Sequence, residues 1–171
     1  LLRQLNASGL NILDVNGLNV VHLLKKGEPD LEVLEALVKA NFREIALPFE
    51  SGSQRMLKKY STNKWKISRS NITELIRLYR QNGIRITGNY MLGFPDETVD
   101  EINETIEMAR QHMSAGLDVA NLHIVLPLPG TPLHDAAIKD GHLPEGGVDA
   151  DRMTWRKANM VNTTVPAAQL E

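Results

Sequence analysis

Residues 44–59 read E-I-A-L-P-F-E-S-G-S-Q-R-M-L-K-K. The apolar run from Ile45 to Phe49 breaks at Glu50-Ser51-Gly52-Ser53 and resumes with Met56, Leu57 and Tyr60 at helical spacing, so a strand ends in a turn that opens a helix. The turn carries one carboxylate and two hydroxyls. Two later stretches repeat the design: I-T-G-N-Y-M-L-G-F-P-D-E-T from Ile86, and H-I-V-L-P-L-P-G-T-P-L from His123. Three strands thus aim their C-terminal ends at one place.

Working outward, Leu1, Leu2 and Leu5 read as the end of an amphipathic helix closed at Ser8-Gly9, and Leu10–Val15 reads as a buried strand. The range 18–24 is apolar without a clear period. Asp30 caps a helix with Leu31, Leu34, Leu37 and Val38 on one face. Beyond the opening stretch, 61–69 is a polar, basic loop around Trp65. Asn71 then caps a helix whose core stripe is Ile72, Leu75, Ile76 and Tyr79. Ile84–Leu92 is the next strand, and Thr98 with Glu101 forms a capping box for a long helix that stops at Ala115-Gly116. Leu122–Leu126 reads as the last strand, followed by a stiff loop, 127–132, and a short helix, 133–139. From Gly141 periodicity is lost, so 1–143 forms the domain and 144–171 an irregular tail.

Alternation of strands and longer helices defines an α/β protein with parallel strands joined by crossovers. Four strands are too few for a closed barrel, which takes about eight strands and roughly 250 residues. The chain therefore reads as an arc of a larger barrel. The opening residues lack an initiator Met and begin within a helix, which leads us to expect a truncated chain.

Composition narrows the function. The 171 residues carry 19 Lys and Arg against 21 Asp and Glu, with a net charge of -2, and only 5% are aromatic. Nucleic-acid binding by bulk charge or base stacking is therefore not indicated. There is no cysteine, which excludes disulfides, thiolate metal ligands and thiol catalysis by this chain. No apolar run approaches the ~18 residues of a membrane span, and we expect a cytoplasmic protein. His22, His112, His123, His134 and His142 show no paired ligand spacing, so no metal site is expected. No nucleophile elbow is present.

Parallel α/β proteins bind ligands at strand C-termini. There, Glu50 can accept hydrogen bonds from vicinal hydroxyls, Ser51 and Ser53 can donate, and Gly52 allows close approach. The structural alternative is that a serine caps the helix while Glu50 favours its positive end. Asn89 can bind ligand or satisfy neighbouring backbone. Gly93, like Gly88, fits either close approach of a flat group or a turn. Leu126, Pro127 and Gly130 belong to a stiff segment able to edge a planar heterocycle, or simply to connect to a helix with Thr131 as N-cap and Pro132 at N1. Lys64 is either solvated or able to reach a ligand carboxylate from its loop.

The three motif stretches together resemble the last three strands of radical S-adenosylmethionine enzymes, in order and spacing, over about 10–143. The closest resemblance is to the group related to anaerobic magnesium-protoporphyrin cyclase and other cobalamin-dependent members. It implies a partial (β/α)6 TIM-like barrel of which this chain holds the last four strands. It also implies that Glu50 and Asn89 contact the ribose of S-adenosylmethionine, Lys64 its carboxylate, and the backbone of 126–130 its adenine. The family's C-x3-C-x2-C loop, which holds a [4Fe-4S] cluster, is absent, as is the strand that binds the methionyl amine. The resemblance then implies a fragment that supplies ribose, adenine and substrate-side binding for 5'-deoxyadenosyl radical chemistry. Such a fragment is inactive alone. The cluster would lie in the missing N-terminal part of the same protein, any cobalamin elsewhere in the full-length protein, and a small molecule would be its substrate. An open arc exposes sheet edges, so dimerisation is also expected. The rival reading is a non-catalytic α/β module that binds a nucleotide or phosphosugar, or that oligomerises.

Overall fold

The structure is a computed structural model that describes residues 9–61, 65–144, 147–148, 151 and 153–171. The N-terminal helix stub expected over 1–8, and Lys64, lie outside the described residues. The elements are β1 (Ile12–Asp14), a 3-10 turn (Val20–Leu23), a small hairpin of β2 (Leu24–Lys25) and β3 (Glu28–Pro29), α1 (Leu31–Lys39), β4 (Phe42–Glu50), α2 (Gln54–Tyr60), α3 (Ile72–Gln81), β5 (Arg85–Leu92), α4 (Val99–Ala115), β6 (Val119–Ile124), α5 (Pro132–Lys139) and α6 (Ala167–Leu170).

The main sheet has the order β1-β4-β5-β6, and all its pairs are parallel. This is the α/β arc expected from the alternation, and among the described strands it does not close into a barrel. The helix starts follow their caps: Asp30, Ser53, Asn71, Thr98 and Thr131 each accept a backbone N–H of the first turn, and Thr98 with Glu101 completes the capping box. Gly116, at φ 110, ends α4 in the left-handed conformation.

One face of the sheet carries the helices. Ile45, Leu47 and Phe49 of β4 and Ile86 and Tyr90 of β5 pack against Leu34 and Leu37 of α1, Leu75 and Ile76 of α3, and Met108 of α4. Each fully buried side chain of this size contributes about 1.5–3 kcal/mol. The opposite face is polar and half-buried: Thr87 donates to Glu44 (3.4 Å), and Asn121 donates to Asn89 (3.1 Å). Helices on one face and a second face left without them fit an arc of barrel wall whose inner face turns to the lumen.

The last strand differs from the reading of 122–126. It begins at Val119, with Thr87 through Leu92 paired to Val119 through Ile124. Asn121 and His123 break the apolar run that the sequence shows, yet their backbones pair normally while their side chains face the polar side. Among the described residues of 144–171 most are irregular, and several pack back over the strand ends. Ile124 N donates to Trp155 O (2.8 Å), Thr164 N to Pro95 O (2.9 Å), and Met160 joins Met56, Phe94, Val125 and Ala137 in a second buried cluster. No helix among the described residues is long and apolar enough to cross a membrane.

Candidate functional site

At the C-terminal ends of β4, β5 and β6 a cavity of about 560 Å³ is lined by Glu50, Tyr60, Met91, Phe94, Leu126 and Pro132, among others. Glu50 reaches it by an unusual backbone. Its φ is 67, and Ser51 N donates to Phe49 O (2.9 Å), so Glu50 is the centre of a γ-turn of the strained, positive-φ kind. The register between β4 and β5 slips at the same place, between Pro48 and Glu50, as a bulge that re-aims the side chain.

Ser51, Gly52 and Ser53, by contrast, face α4. The Ser51 hydroxyl meets that of Thr105 (3.2 Å) and accepts Ser53 N (3.1 Å), while Gly52 N donates to Thr105 Oγ1 (2.9 Å). A Cβ on Gly52 would lie 2.4 Å from the Glu104 carbonyl oxygen, so only glycine permits this approach. Ser53 caps α2 and donates to Glu101 Oε1 (2.8 Å). Both serines are buried. Of the four-residue turn, only Glu50 lines the cavity.

Asn89 lies on the polar face, two residues before Met91, and its side-chain Oδ1 accepts from Asn121 Nδ2. Gly93 has φ +83, and the space a Cβ would fill is occupied by Leu170 of the C-terminal segment at 2.9 Å. Leu126 lines the cavity and Pro127 is buried beside it, with Leu128 N donating to Leu126 O (3.0 Å). Gly130 is exposed at φ +84, and a Cβ there would meet nothing within 4 Å among the described residues. Thr131 and Pro132 line the cavity as well as starting α5. Of the described residues singled out in the sequence, Glu50 and Leu126 line this cavity; Ser51, Gly52 and Ser53 face α4, Asn89 pairs with Asn121, and Gly130 is exposed.

The residue that sequence reasoning missed is Glu97. It is fully buried, and its Oε2 accepts Gly93 N (2.6 Å) and Phe94 N (3.2 Å), which fixes the turn that carries the cavity wall. Its other oxygen has no hydrogen-bond partner among the described residues. Burial pushes its pKa up to about 7 against the pull of the two backbone donors. A carboxylate four residues after a turn glycine was the available signal, eclipsed by the more obvious Thr98-Glu101 box.

Asp96 and Glu101 tie this turn to α2. Asp96 accepts from Tyr60 Oη (2.5 Å), Arg55 Nη1 (2.6 Å) and Lys59 Nζ (2.9 Å), and Arg55 also pairs with Glu101 (2.6 Å). Burial pulls the Asp96 carboxyl upward, but the donated bonds from Tyr60, Lys59 and Arg55 outweigh it and hold it well below the usual range. The Arg55 bond lowers Glu101 to about 2. On the helix side of the sheet, burial lowers His112 to about 4, and its Nδ1 bonds the Tyr90 hydroxyl (2.9 Å). Among the described residues no group of three His, Asp or Glu is placed to hold a metal ion.

The model of the Radical SAM superfamily matches residues 7–109 of this chain. The chain belongs to that superfamily, and its parallel arc with helices on one face is the corresponding part of the fold. Among its relatives, an uncharacterized methyltransferase of Pyrococcus horikoshii is 27% identical over 131 residues, 77% of this chain and 26% of the relative. A tRNA-2-methylthio-N(6)-dimethylallyladenosine synthase of Bartonella bacilliformis is 38% identical over 87 residues, 51% of this chain and 18% of that enzyme. The enzyme of the same name from Bacillus thuringiensis is 34% identical over 116 residues, 65% of this chain and 21% of that enzyme. The chain therefore matches about a quarter or less of the length of each of these relatives. Full-length members of the superfamily use S-adenosylmethionine and a [4Fe-4S] cluster.

Proposed function

We propose that the strand-end cavity receives the ribose and adenine of S-adenosylmethionine, with the Glu50 carboxylate accepting the ribose hydroxyls and the wall from Leu126 to Pro127 edging the purine. The observation that carries this reading is the backbone at Glu50. A position with φ 67 suits glycine, and a longer carboxylate is held there instead, on the cavity, by a γ-turn and a bulge. Strain of this kind clusters at active sites and ligand clamps.

The residues fit the organic part of the cofactor and not its metal. The cavity offers a carboxylate, apolar walls from Met91, Phe94 and Leu126, and rigid loop backbone. Thiolate ligands are lacking because the chain has no cysteine. S-adenosylmethionine supplies the adenosyl group for radical chemistry in this family. This chain binds and orients that group: Glu97 holds the Gly93 turn, and the Arg55-Asp96-Tyr60 contacts hold the turn against α2. On this reading the cluster, and any cobalamin, belong to other parts of a longer protein. That protein is a cytoplasmic radical S-adenosylmethionine enzyme, and the 171 residues alone are inactive.

The test is calorimetric titration of S-adenosylhomocysteine into the 171-residue chain and its Glu50→Ala variant. Weak, saturable binding that drops at least tenfold in the variant is expected. Equal affinity of the two proteins would leave Glu50 with a backbone role only.

A further inference from the structure

A second cavity, of about 450 Å³, lies between the tip of the β2–β3 hairpin and the segment 65–70. Its apolar lining comes from Val21, Leu24 and Trp65, of which Trp65 is buried and anchored by its indole N–H to Phe49 O (3.3 Å). Lys26, Lys66 and Arg69 stand around it, all exposed.

The backbone brings these cations together. Lys26 and Gly27 form a two-residue hairpin turn with φ values of 57 and 90, as a tight hairpin of this twist requires. The turn is seated on the second segment: Asn71 N donates to Gly27 O (2.7 Å), and a Cβ on Gly27 would lie 1.9 Å from Arg69 O. Lys26 is thereby fixed beside the 66–70 segment, although the two pieces lie some forty residues apart in the chain.

Charge around the cavity is one-sided. Arg55, Lys59, Arg80 and Arg85 are each paired with Asp or Glu, and Lys25 pairs with Glu32. No ion-pair partner among the described residues serves Lys26, Lys66 or Arg69. The neighbouring Glu28 carboxylate is engaged by Asn71 Nδ2 (3.0 Å). Three like charges around a concave, partly apolar surface repel one another, and the low-dielectric wall concentrates their field on the cavity mouth. An anion placed there relieves the repulsion. Several cations around one hollow match a ligand carrying several negative charges, and Lys and Arg with a hydroxyl such as that of Ser70 are the donors that phosphate oxygens take.

We propose that this groove binds phosphate groups of an oligoanionic ligand, with Lys26, Lys66 and Arg69 supplying the charge and Ser70 a neutral donor. The site is separate from the strand-end cavity and does not depend on S-adenosylmethionine binding.

The experiment uses the two tryptophans of the 171-residue chain. Trp65 lines the groove, while Trp155 sits beside His123 at the end of β6. Inorganic pyrophosphate is titrated at constant ionic strength while the indole N–H signals are followed by NMR. The expected result is a saturable shift of the Trp65 signal with Trp155 unmoved, and affinity at least tenfold lower in both Lys26→Gly/Arg69→Gln and Lys66→Gln/Arg69→Gln. Lys26→Gly keeps the turn, because glycine suits its positive φ. A short RNA oligonucleotide titrated in parallel separates the sources of phosphate: tighter binding than pyrophosphate, lost in the same variants, assigns a phosphodiester chain, and weaker binding assigns a free oligophosphate. No saturable shift, an equal shift of Trp155, or undiminished binding in both double variants would overturn the proposal.

Discussion

Glu50→Gly and Glu50→Ala both remove the carboxylate, and they differ only by a Cβ on a residue held at φ 67. At an ordinary position glycine is less stable than alanine by about 0.5–1 kcal/mol, because the unfolded chain gains freedom. In the left-handed region an L side chain costs about 1–2 kcal/mol that glycine does not. The two effects oppose each other, and the second is larger. Glu50→Gly should therefore be more stable than Glu50→Ala by about 0.5–1 kcal/mol, or about 1–4 °C in Tm for a chain of this length. Comparing two variants that both lack the carboxylate cancels whatever its own interactions contribute. The assay is urea unfolding followed by far-UV circular dichroism, with Tm as a second readout. The reversal of the usual order is the diagnostic. If Glu50→Gly proves less stable than Glu50→Ala, the backbone at the strand end is not strained, and the argument that strain delivers Glu50 to the cavity fails.

Three further outcomes follow from the packing and the buried ionisable groups. Glu97 is held neutral in the fold up to about pH 7, whereas the unfolded carboxyl titrates near 4.5, so the native state keeps a proton that the unfolded chain releases. Its stabilising contribution is full below pH 4.5 and is lost as pH rises through 7, by an amount on the order of 3 kcal/mol. Glu97→Gln cannot ionise, so its stability relative to the parent should rise by that order between pH 4.5 and 8 in urea titrations; parallel curves would contradict the buried, neutral assignment. His112 acts with the opposite sign, its contribution being present above pH 6.5 and lost as pH falls through about 4, and its ring signals should remain those of neutral imidazole at pH 5.5 by NMR. Gly52→Ala places a methyl 2.4 Å from a backbone oxygen of α4 and should cost about 3 kcal/mol, read as a fall in the urea midpoint; a loss below about 0.5 kcal/mol would show that α4 shifts freely.

What the sequence revealed was local. Asp30, Ser53, Asn71, Thr98 and Thr131 are caps whose partners lie two or three residues away, so helix starts could be read directly. The parallel order followed from alternation, since a strand, a helix and a strand of this length leave few other connections. Contacts across fifty residues could not be read. Nothing in E-S-G-S shows that Ser51 and Gly52 serve Thr105, or that Glu50 alone turns to the cavity through a γ-turn. The reach of Leu170 to Gly93 was equally hidden, because the last residues have no periodicity and their packing depends on the turn they meet. Glu97 was masked by its sequence neighbours, which offer a capping box that fully accounts for the local polarity.

The central claim is that the strand ends of β4, β5 and β6 form the ribose and adenine side of an S-adenosylmethionine site. Chemical-shift mapping of the 171-residue chain with S-adenosylhomocysteine tests it most directly. The account predicts saturable shifts concentrated at Glu50, Met91, Phe94 and Leu126, with Val21 and Leu24 at the hairpin groove unmoved. Saturable shifts centred elsewhere, or none at millimolar ligand, would contradict it.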